Sequence, residues 1–172
     1  MSTMISIADI YRSSIVDGNG LRVVVFGAGC SHACKGCHNP QSWDINYGTW
    51  LSIQEVFNNL NLARRKLLRG VTFSGGDPMY QPMAFYELAR MVKAIPNLDV
   101  WCYTGYQFED LICNHDERYE LLTQVDVLVD GQYVHELRDL TLQFRGSSNQ
   151  RIIDVPKSLE HGMVIEYIVS RF

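Results

Sequence analysis

The chain lacks the features that mark several large classes of protein. It has 15 Lys and Arg against 19 Asp and Glu, a net charge of −4, and no basic block or stripe, which argues against nucleic-acid binding. Its longest dense apolar run, residues 23–26, is far shorter than the roughly 20 residues that span a bilayer. The N-terminus lacks the basic start and apolar run of a secretory signal. These absences predict a cytoplasmic protein with no nucleic-acid or membrane partner.

A disulfide framework is also missing, because five cysteines are an odd number and the expected compartment is reducing. Three of them, Cys30, Cys34 and Cys37, form a C-x3-C-x2-C pattern. Such a close trio indicates a metal-binding or catalytic group. A closed structural metal site and a closed cubane iron–sulfur cluster each use four protein ligands. Three thiolates would therefore leave one iron open to bind and activate a small molecule.

Spacing alone leaves two other interpretations of the cysteines open. Zinc could bind the trio with His32 or His38 as the fourth ligand. A simple electron carrier could recruit Cys102 as a distant fourth thiolate, although its place inside a predicted strand suits a packed thiol better. Cys113 has no partner at a ligand-like spacing, so we interpret both of these cysteines as structural.

The length and the apolar pattern predict one α/β domain. With 172 residues, 47% of them hydrophobic, the chain suffices for one well-packed domain and is too short for two. Periodicity and turn residues predict strands over 21–26, 71–73, 98–103 and 125–129, and helices over 53–67, 85–95 and, more weakly, 117–124. The first helix is expected to begin at a Ser52/Glu55 capping box and to stop at Gly70. A full eight-unit barrel takes about 250 residues, so a partial barrel or an open sheet is expected.

Four unusual loops each follow a predicted strand. They are the cysteine loop, Ser74-Gly-Gly-Asp-Pro78, Thr104-Gly-Tyr106 and Asp130-Gly-Gln-Tyr133. In a parallel β/α fold they would converge on the carboxyl edge of the sheet, where such folds bind ligands. Taken alone, residues 74–78 are more simply an ordinary turn, but their glycines would also let a backbone edge approach a ligand closely.

Together these segments resemble the radical S-adenosylmethionine (SAM) superfamily. Residues 29–39, with Trp43, are closely similar to the activating components of anaerobic ribonucleoside-triphosphate reductases. Residues 16–22 resemble the Val-Asp-Gly-Pro-Gly-x-Arg segment of glycyl-radical activating enzymes, with Asn19 in place of Pro. Further similar segments lie at 74–78, 103–106, 129–133 and 145–150, so the resemblance covers roughly residues 10–151.

The resemblance implies both a fold and a reaction. The expected fold is a single radical SAM domain over residues 1–172, a partial (β/α) barrel with a mostly parallel sheet and helices outside. One [4Fe-4S] cluster would bind SAM at its open iron and cleave it reductively. The resulting 5′-deoxyadenosyl radical would take a hydrogen atom from a glycine of the reductase. Because the cofactors supply this chemistry, no side chain is assigned as an acid, base or nucleophile.

The resemblance also implies partners and contacts. The expected partners of this oxidoreductase are the large subunit of an anaerobic ribonucleoside-triphosphate reductase and a flavodoxin-like electron donor. Asp77 stands where many members carry Glu, and would either contact SAM or brace its loop. The predicted cluster ligands are Cys30, Cys34 and Cys37, and the predicted cofactor contacts are His38, Ser74, Gly75, Gly76, Asp77 and Asp130.

Two alternatives to this function stay open at the level of the sequence. The chain could activate a different glycyl-radical enzyme, of the formate-lyase type, by the same chemistry. It could also be a zinc-binding interaction module without catalysis, because the cysteine trio and a histidine satisfy the ligand preferences of zinc.

Overall fold

The structure, a computed structural model, describes residues 3–169. Seven strands form one sheet in the order β3-β1-β2-β4-β5-β6-β7. The strands are β1 (Met4–Ser14), β2 (Arg22–Gly27), β3 (Thr49–Ser52), β4 (Gly70–Gly75), β5 (Asp99–Tyr103), β6 (Val127–Asp130) and β7 (Arg151–Asp154). The helices are α1 (Ile53–Leu60), α2 (Pro82–Lys93), α3 (Phe108–Asn114), α4 (Glu117–Leu122) and α5 (Val155–His161). No helix in the described range is long and apolar enough to cross a membrane.

The sheet is parallel at its centre and antiparallel on both sides. Strands β2, β4, β5 and β6 pair in parallel, which confirms the predicted α/β class. The expectation of a mostly parallel sheet is wrong, because β1 pairs antiparallel with β2 and β3, and β7 pairs antiparallel with β6. The link from β1 to β2 is too short for the crossover that parallel neighbours need. The link from β6 to β7 leaves the sheet and re-enters it at the same edge, because Asp130 at the end of β6 pairs with Arg151 at the start of β7.

Helix α1 shows one correct and one wrong boundary. It begins with the predicted capping box, in which the Ser52 hydroxyl accepts a bond from the Glu55 amide and the Glu55 carboxylate accepts one from the Ser52 amide. It ends at Leu60 rather than at Gly70, because Asn61 adopts a left-handed conformation with φ 51°, which ends a helix. Gly70 instead begins β4.

The two faces of the sheet are packed differently, as the two-residue period of a strand requires. One face holds the main core, where Val71, Phe73 and Val100 pack with helix residues such as Phe85 and Leu88. The opposite face holds a smaller cluster around Trp101, Val127, Val129 and Ile152, against which Phe144 and Tyr167 pack. The second face of the central strands is therefore covered by loops rather than by helices.

Gln81 joins strand β1 to the start of α2. Its side-chain oxygen accepts a hydrogen bond from the Ser6 amide (2.8 Å), and its side-chain nitrogen donates to the carbonyls of Ser6 and Ala28 (2.9 Å each). Replacing Gln81 by Leu would leave the Ser6 amide and the Ala28 carbonyl without these partners, at about 1–3 kcal/mol each. We expect the unfolding free energy of the metal-free protein, measured in urea, to fall by about 3 kcal/mol.

The matched control is the same substitution at Gln54, which is exposed on α1 and whose side chain, within residues 3–169, bonds only to the Asn58 side chain. Surface substitutions of this kind usually change stability by less than about 0.5 kcal/mol. Equal losses for the two variants would contradict the role assigned to Gln81.

Candidate functional site

A cavity of about 380 Å³ lies at the carboxyl edge of the parallel strands. The loops after β2, β4, β5 and β6 all contribute to its lining, and so do Gly146 and Gln150 from the link to β7. The predicted convergence of these loops is therefore confirmed. Among the predicted site residues, the cavity is lined by Cys30, Cys34, Cys37, His38, Ser74, Gly75, Gly76 and Asp77.

Asp130 differs from the other predicted site residues, because it does not line the cavity although its neighbour Gly131 does. Its carboxylate accepts hydrogen bonds from the Phe108 amide (2.9 Å) and from the Arg151 Nε (3.0 Å). Arg151 in turn forms an ion pair with Glu109 (2.7 Å). These contacts tie α3 and β7 to the end of β6, so they give Asp130 a structural role. A cofactor contact at Asp130 stays a prediction.

The backbone holds the cysteine loop at its base. The Gly29 amide donates to the Ser42 carbonyl (2.8 Å), and the Cys30 amide donates to the Trp43 carbonyl (3.1 Å). Between the first two cysteines Ala33 adopts a positive φ of 50°, a conformation that costs a residue with a Cβ roughly 1–2 kcal/mol. The loop is therefore fixed at its ends and folded tightly at its middle, which places all three cysteines beside the cavity.

The environment of the thiols suits a bound cationic group. Burial raises the pKa of Cys30 and of Cys34, and the neighbouring cysteines raise both pKa values further. Backbone hydrogen bonds from His32 to Cys30 and from Tyr133 to Cys34 act in the opposite direction. The thiolates of Cys30 and Cys34 are thus unfavourable alone, and iron would supply the positive charge that stabilises them. Within residues 3–169, no three His, Cys, Asp or Glu side chains converge on a position for a single metal ion.

Asp77 connects three of the loops around the cavity. One carboxylate oxygen accepts a bond from the Met79 amide (2.9 Å). The other lies 2.8 Å from His32 Nε2 and accepts bonds from the Thr104 hydroxyl (3.0 Å) and the Gly105 amide (2.9 Å). The side chain is 2% exposed. Of the two roles considered for Asp77, these contacts support bracing of the loops rather than direct contact with a cofactor.

The segment after β6 packs along the cysteine loop. The side chain of Gln132 lies 3.1 Å from His32 Nδ1, and the Tyr133 ring lies 5.8 Å from the His38 ring between centroids. An exposed ion pair joins Lys35 to Glu136 (3.2 Å). This segment therefore contacts the cysteine loop at His32, Lys35 and His38, and His38 and Tyr133 lie together in the cavity wall.

Some residues that the structure places at the site are absent from the predicted contacts. His38 is a predicted contact and His32 is not, yet both line the cavity and His32 contacts Asp77 and Gln132. Asp17, in the family-like segment 16–22, also lines the cavity and is not among the predicted contacts. The sequence feature that points to His32 and Asp17 is their position inside family-like segments, because nothing in their local spacing distinguishes them.

Comparisons with known proteins show the family to which the chain belongs. Residues 16–153 match the family described as a 4Fe-4S single cluster domain, so the chain carries an iron–sulfur domain of that class. The chain is also 36% identical over 149 residues to the anaerobic ribonucleoside-triphosphate reductase-activating protein of Haemophilus influenzae, which covers 83% of this chain and 93% of the relative. The proteins of the same name from phage T4 and Escherichia coli K12 are each 37% identical over 147 residues. The match to the phage T4 protein covers 83% of this chain and 90% of the relative. The match to the Escherichia coli protein covers 81% of this chain and 92% of the relative.

The chain belongs to the family of anaerobic ribonucleoside-triphosphate reductase-activating proteins, which confirms the resemblance that its motifs predict. Among solved structures, QueE from Escherichia coli superposes with a TM-score of 0.49 at 10% identity, over 74% of this chain and 70% of that chain.

Proposed function

We propose that this protein is a radical SAM activase that generates a glycyl radical on an anaerobic ribonucleoside-triphosphate reductase. The observation that carries the proposal is the shared cavity, which the three cysteines and the Gly-Gly-Asp loop line together in a chain of this family. Cys30, Cys34 and Cys37 would hold one [4Fe-4S] cluster, and SAM would bind the iron that has no cysteine. The fold would be a partial (β/α) barrel forming one radical SAM domain over residues 1–172.

The residues of the cavity would bind and orient the cofactors. Three thiolates leave one iron free, and residues 74–76 line the same cavity as the cysteines, so this edge would be available to the amino-acid part of SAM. The rings of His38 and Tyr133 offer faces on which a purine can stack. A reduced cluster held by Cys30, Cys34 and Cys37 would supply the electron that cleaves SAM to methionine and a 5′-deoxyadenosyl radical, which would take a hydrogen atom from a glycine of the reductase.

The proposed partners follow from the family. The relatives are named for the reductase that they activate, so the large subunit of such a reductase is the proposed acceptor of the radical. A flavodoxin-like protein is the proposed electron donor, on the resemblance alone. We place the reaction in the cytoplasm, because a reducing compartment keeps free thiols available for iron.

The experiment that tests the proposal is anaerobic reconstitution with iron and sulfide, followed by reduction and addition of SAM. We expect brown protein with about four irons per chain, formation of 5′-deoxyadenosine, and a glycyl-radical signal in electron paramagnetic resonance (EPR) when the reductase large subunit is added. A fully loaded, reduced sample that leaves SAM intact would refute the proposal. A radical on a formate-lyase type partner alone, or colourless zinc protein, would support the corresponding alternative.

A further inference from the structure

His32 lies between two of the proposed cluster ligands and joins three loops. Its side chain is 9% exposed. Its Nε2 lies 2.8 Å from the Asp77 carboxylate, and its Nδ1 lies 3.1 Å from the side-chain nitrogen of Gln132. The imidazole therefore connects the cysteine loop to the Gly-Gly-Asp loop on one side and to the segment after β6 on the other.

The partners of the ring fix the position of its proton. The Asp77 oxygen that faces Nε2 also accepts bonds from Thr104 and Gly105, so it acts as an acceptor. The Gln132 nitrogen is a donor, so Nδ1 accepts. A proton on Nε2 and an acceptor at Nδ1 satisfy both contacts, an assignment made from the hydrogen-bond network. His32 consequently donates to Asp77.

Packing gives the ring one orientation. Tyr106 meets the imidazole edge to face at 4.7 Å between centroids. On another side the ring lies against Gly105, where a Cβ would come within 2.5 Å of an imidazole carbon. A ring held by two hydrogen bonds and two packing contacts has little freedom to rotate. It therefore holds the loops that it contacts in fixed positions relative to one another.

We propose that His32 is a positioning residue that sets the distance between the cluster and the SAM-binding edge. The inference rests on the proposed function, because SAM would have to reach both the open iron and residues 74–76. The Asp77 amide already bonds to the Gly29 carbonyl (2.8 Å), just before Cys30. The His32–Asp77 bond adds a second tie on the far side of Cys30, so the cysteine and the Gly-Gly-Asp loop are held at two points.

Two substitutions separate the contacts of His32. In His32→Gln the terminal amide nitrogen can take the place of Nε2 and donate to Asp77. In His32→Asn the shorter side chain can present its oxygen to Gln132 in place of Nδ1, but it cannot reach Asp77. His32→Ala removes both contacts. These variants of the full chain are reconstituted anaerobically, and iron and sulfide are counted before the reduced cluster is titrated with SAM and followed by EPR.

We expect every variant to retain nearly the iron content of the wild type, because no proposed ligand changes. The dissociation constant for SAM is expected to rise about tenfold in His32→Asn and His32→Ala, as the loss of a hydrogen bond to a charged group implies. In His32→Gln it should stay within about threefold of the wild type. This pattern supports positioning through Asp77.

The outcomes distinguish this inference from the proposed function. Equal SAM affinity in the Gln and Asn variants would overturn the role of the Asp77 contact, even if His32→Ala were too unstable to load. Unchanged affinity in a fully loaded His32→Ala would overturn the inference as well. A wild-type cluster whose EPR signal does not respond to SAM would contradict the proposed function itself, before any variant is compared.

Discussion

Replacing Cys34 by Ala is expected to abolish both cluster assembly and SAM cleavage. Two remaining thiolates cannot hold a cubane that already lacks a fourth protein ligand. The Cys30 thiol, whose pKa is raised by burial, would also lose the bound iron that stabilises its ionised form. After reconstitution, iron per chain should fall close to background. Formation of 5′-deoxyadenosine should drop by about a hundredfold or more, beyond the loss typical of a residue that only supports a metal ligand.

Cys113→Ala is the matched control for this substitution. Cys113 is exposed on α3 and does not line the cavity, so its removal should leave iron content and SAM cleavage unchanged. Cys102 is a poorer control, because its thiol is fully buried in the main core, where truncation would lower stability. Retention of iron in Cys34→Ala, or loss of iron in Cys113→Ala, would mean that the ligand set is wrong.

The arrangement of the site was predictable because it depends on topology. Strand ends in a parallel sheet meet at one edge, so loops that follow β2, β4, β5 and β6 had to converge once those strands were recognised. The antiparallel flanks were not predicted. In β1 the alternation of Ile5 and Ile7, both buried, was an available strand signal, whereas β3 and β7 are only four residues each and offer little pattern.

The partners of individual side chains were not predictable in the same way. His32 and Asp77 are 45 positions apart, and the buried Arg22 pairs with Asp99 across 77 positions. Each residue has a local pattern that suits a turn or a strand, and only the folded chain brings the pairs within hydrogen-bond distance. Periodicity reports which face of an element is apolar; it carries no information about which polar group lies opposite.

The end of α1 shows a related limit. The apolar spacing continues from Leu60 to Leu67, so the pattern predicts a longer helix, but Leu67 is 84% exposed in the structure. The left-handed Asn61 ends the helix, and Leu62 enters the same core from a short 3-10 turn, Leu62–Arg64. The helical period alone therefore does not locate the end of α1, because Leu67 matches that period without lying in a helix or in the core.

Gly75→Ala is expected to lower the unfolding free energy of the metal-free protein by about 4 kcal/mol. Gly75 has a φ of +106°, and a Cβ there would lie 2.4 Å from the Gly27 carbonyl oxygen and 2.5 Å from its nitrogen. The left-handed conformation costs a residue with a Cβ roughly 1–2 kcal/mol, and overpacking against fixed backbone adds about 1–3 kcal/mol. Gly27 is also the partner of Gly75 in the β2–β4 register, so neither strand can easily move away.

Gly162→Ala separates the two contributions. Gly162 ends α5 with a φ of +66°, but nothing lies within 4 Å of a Cβ built there. Its substitution should therefore cost only the conformational part, about 1–2 kcal/mol, in the same urea measurement. If both glycine variants lose the same stability, the close approach of β2 and β4 is not what requires Gly75.

The same comparison bears on how Gly75 serves the site. Its missing side chain makes room for the backbone that leads into the cysteine loop, which is a different use from approach to a ligand. Displacing β4 from β2 would move the Gly-Gly-Asp loop relative to Cys30, because the Gly76 amide bonds to the Gly27 carbonyl (2.8 Å). Gly75→Ala should therefore also take up less iron than Gly162→Ala under identical reconstitution, even at temperatures where both variants are folded.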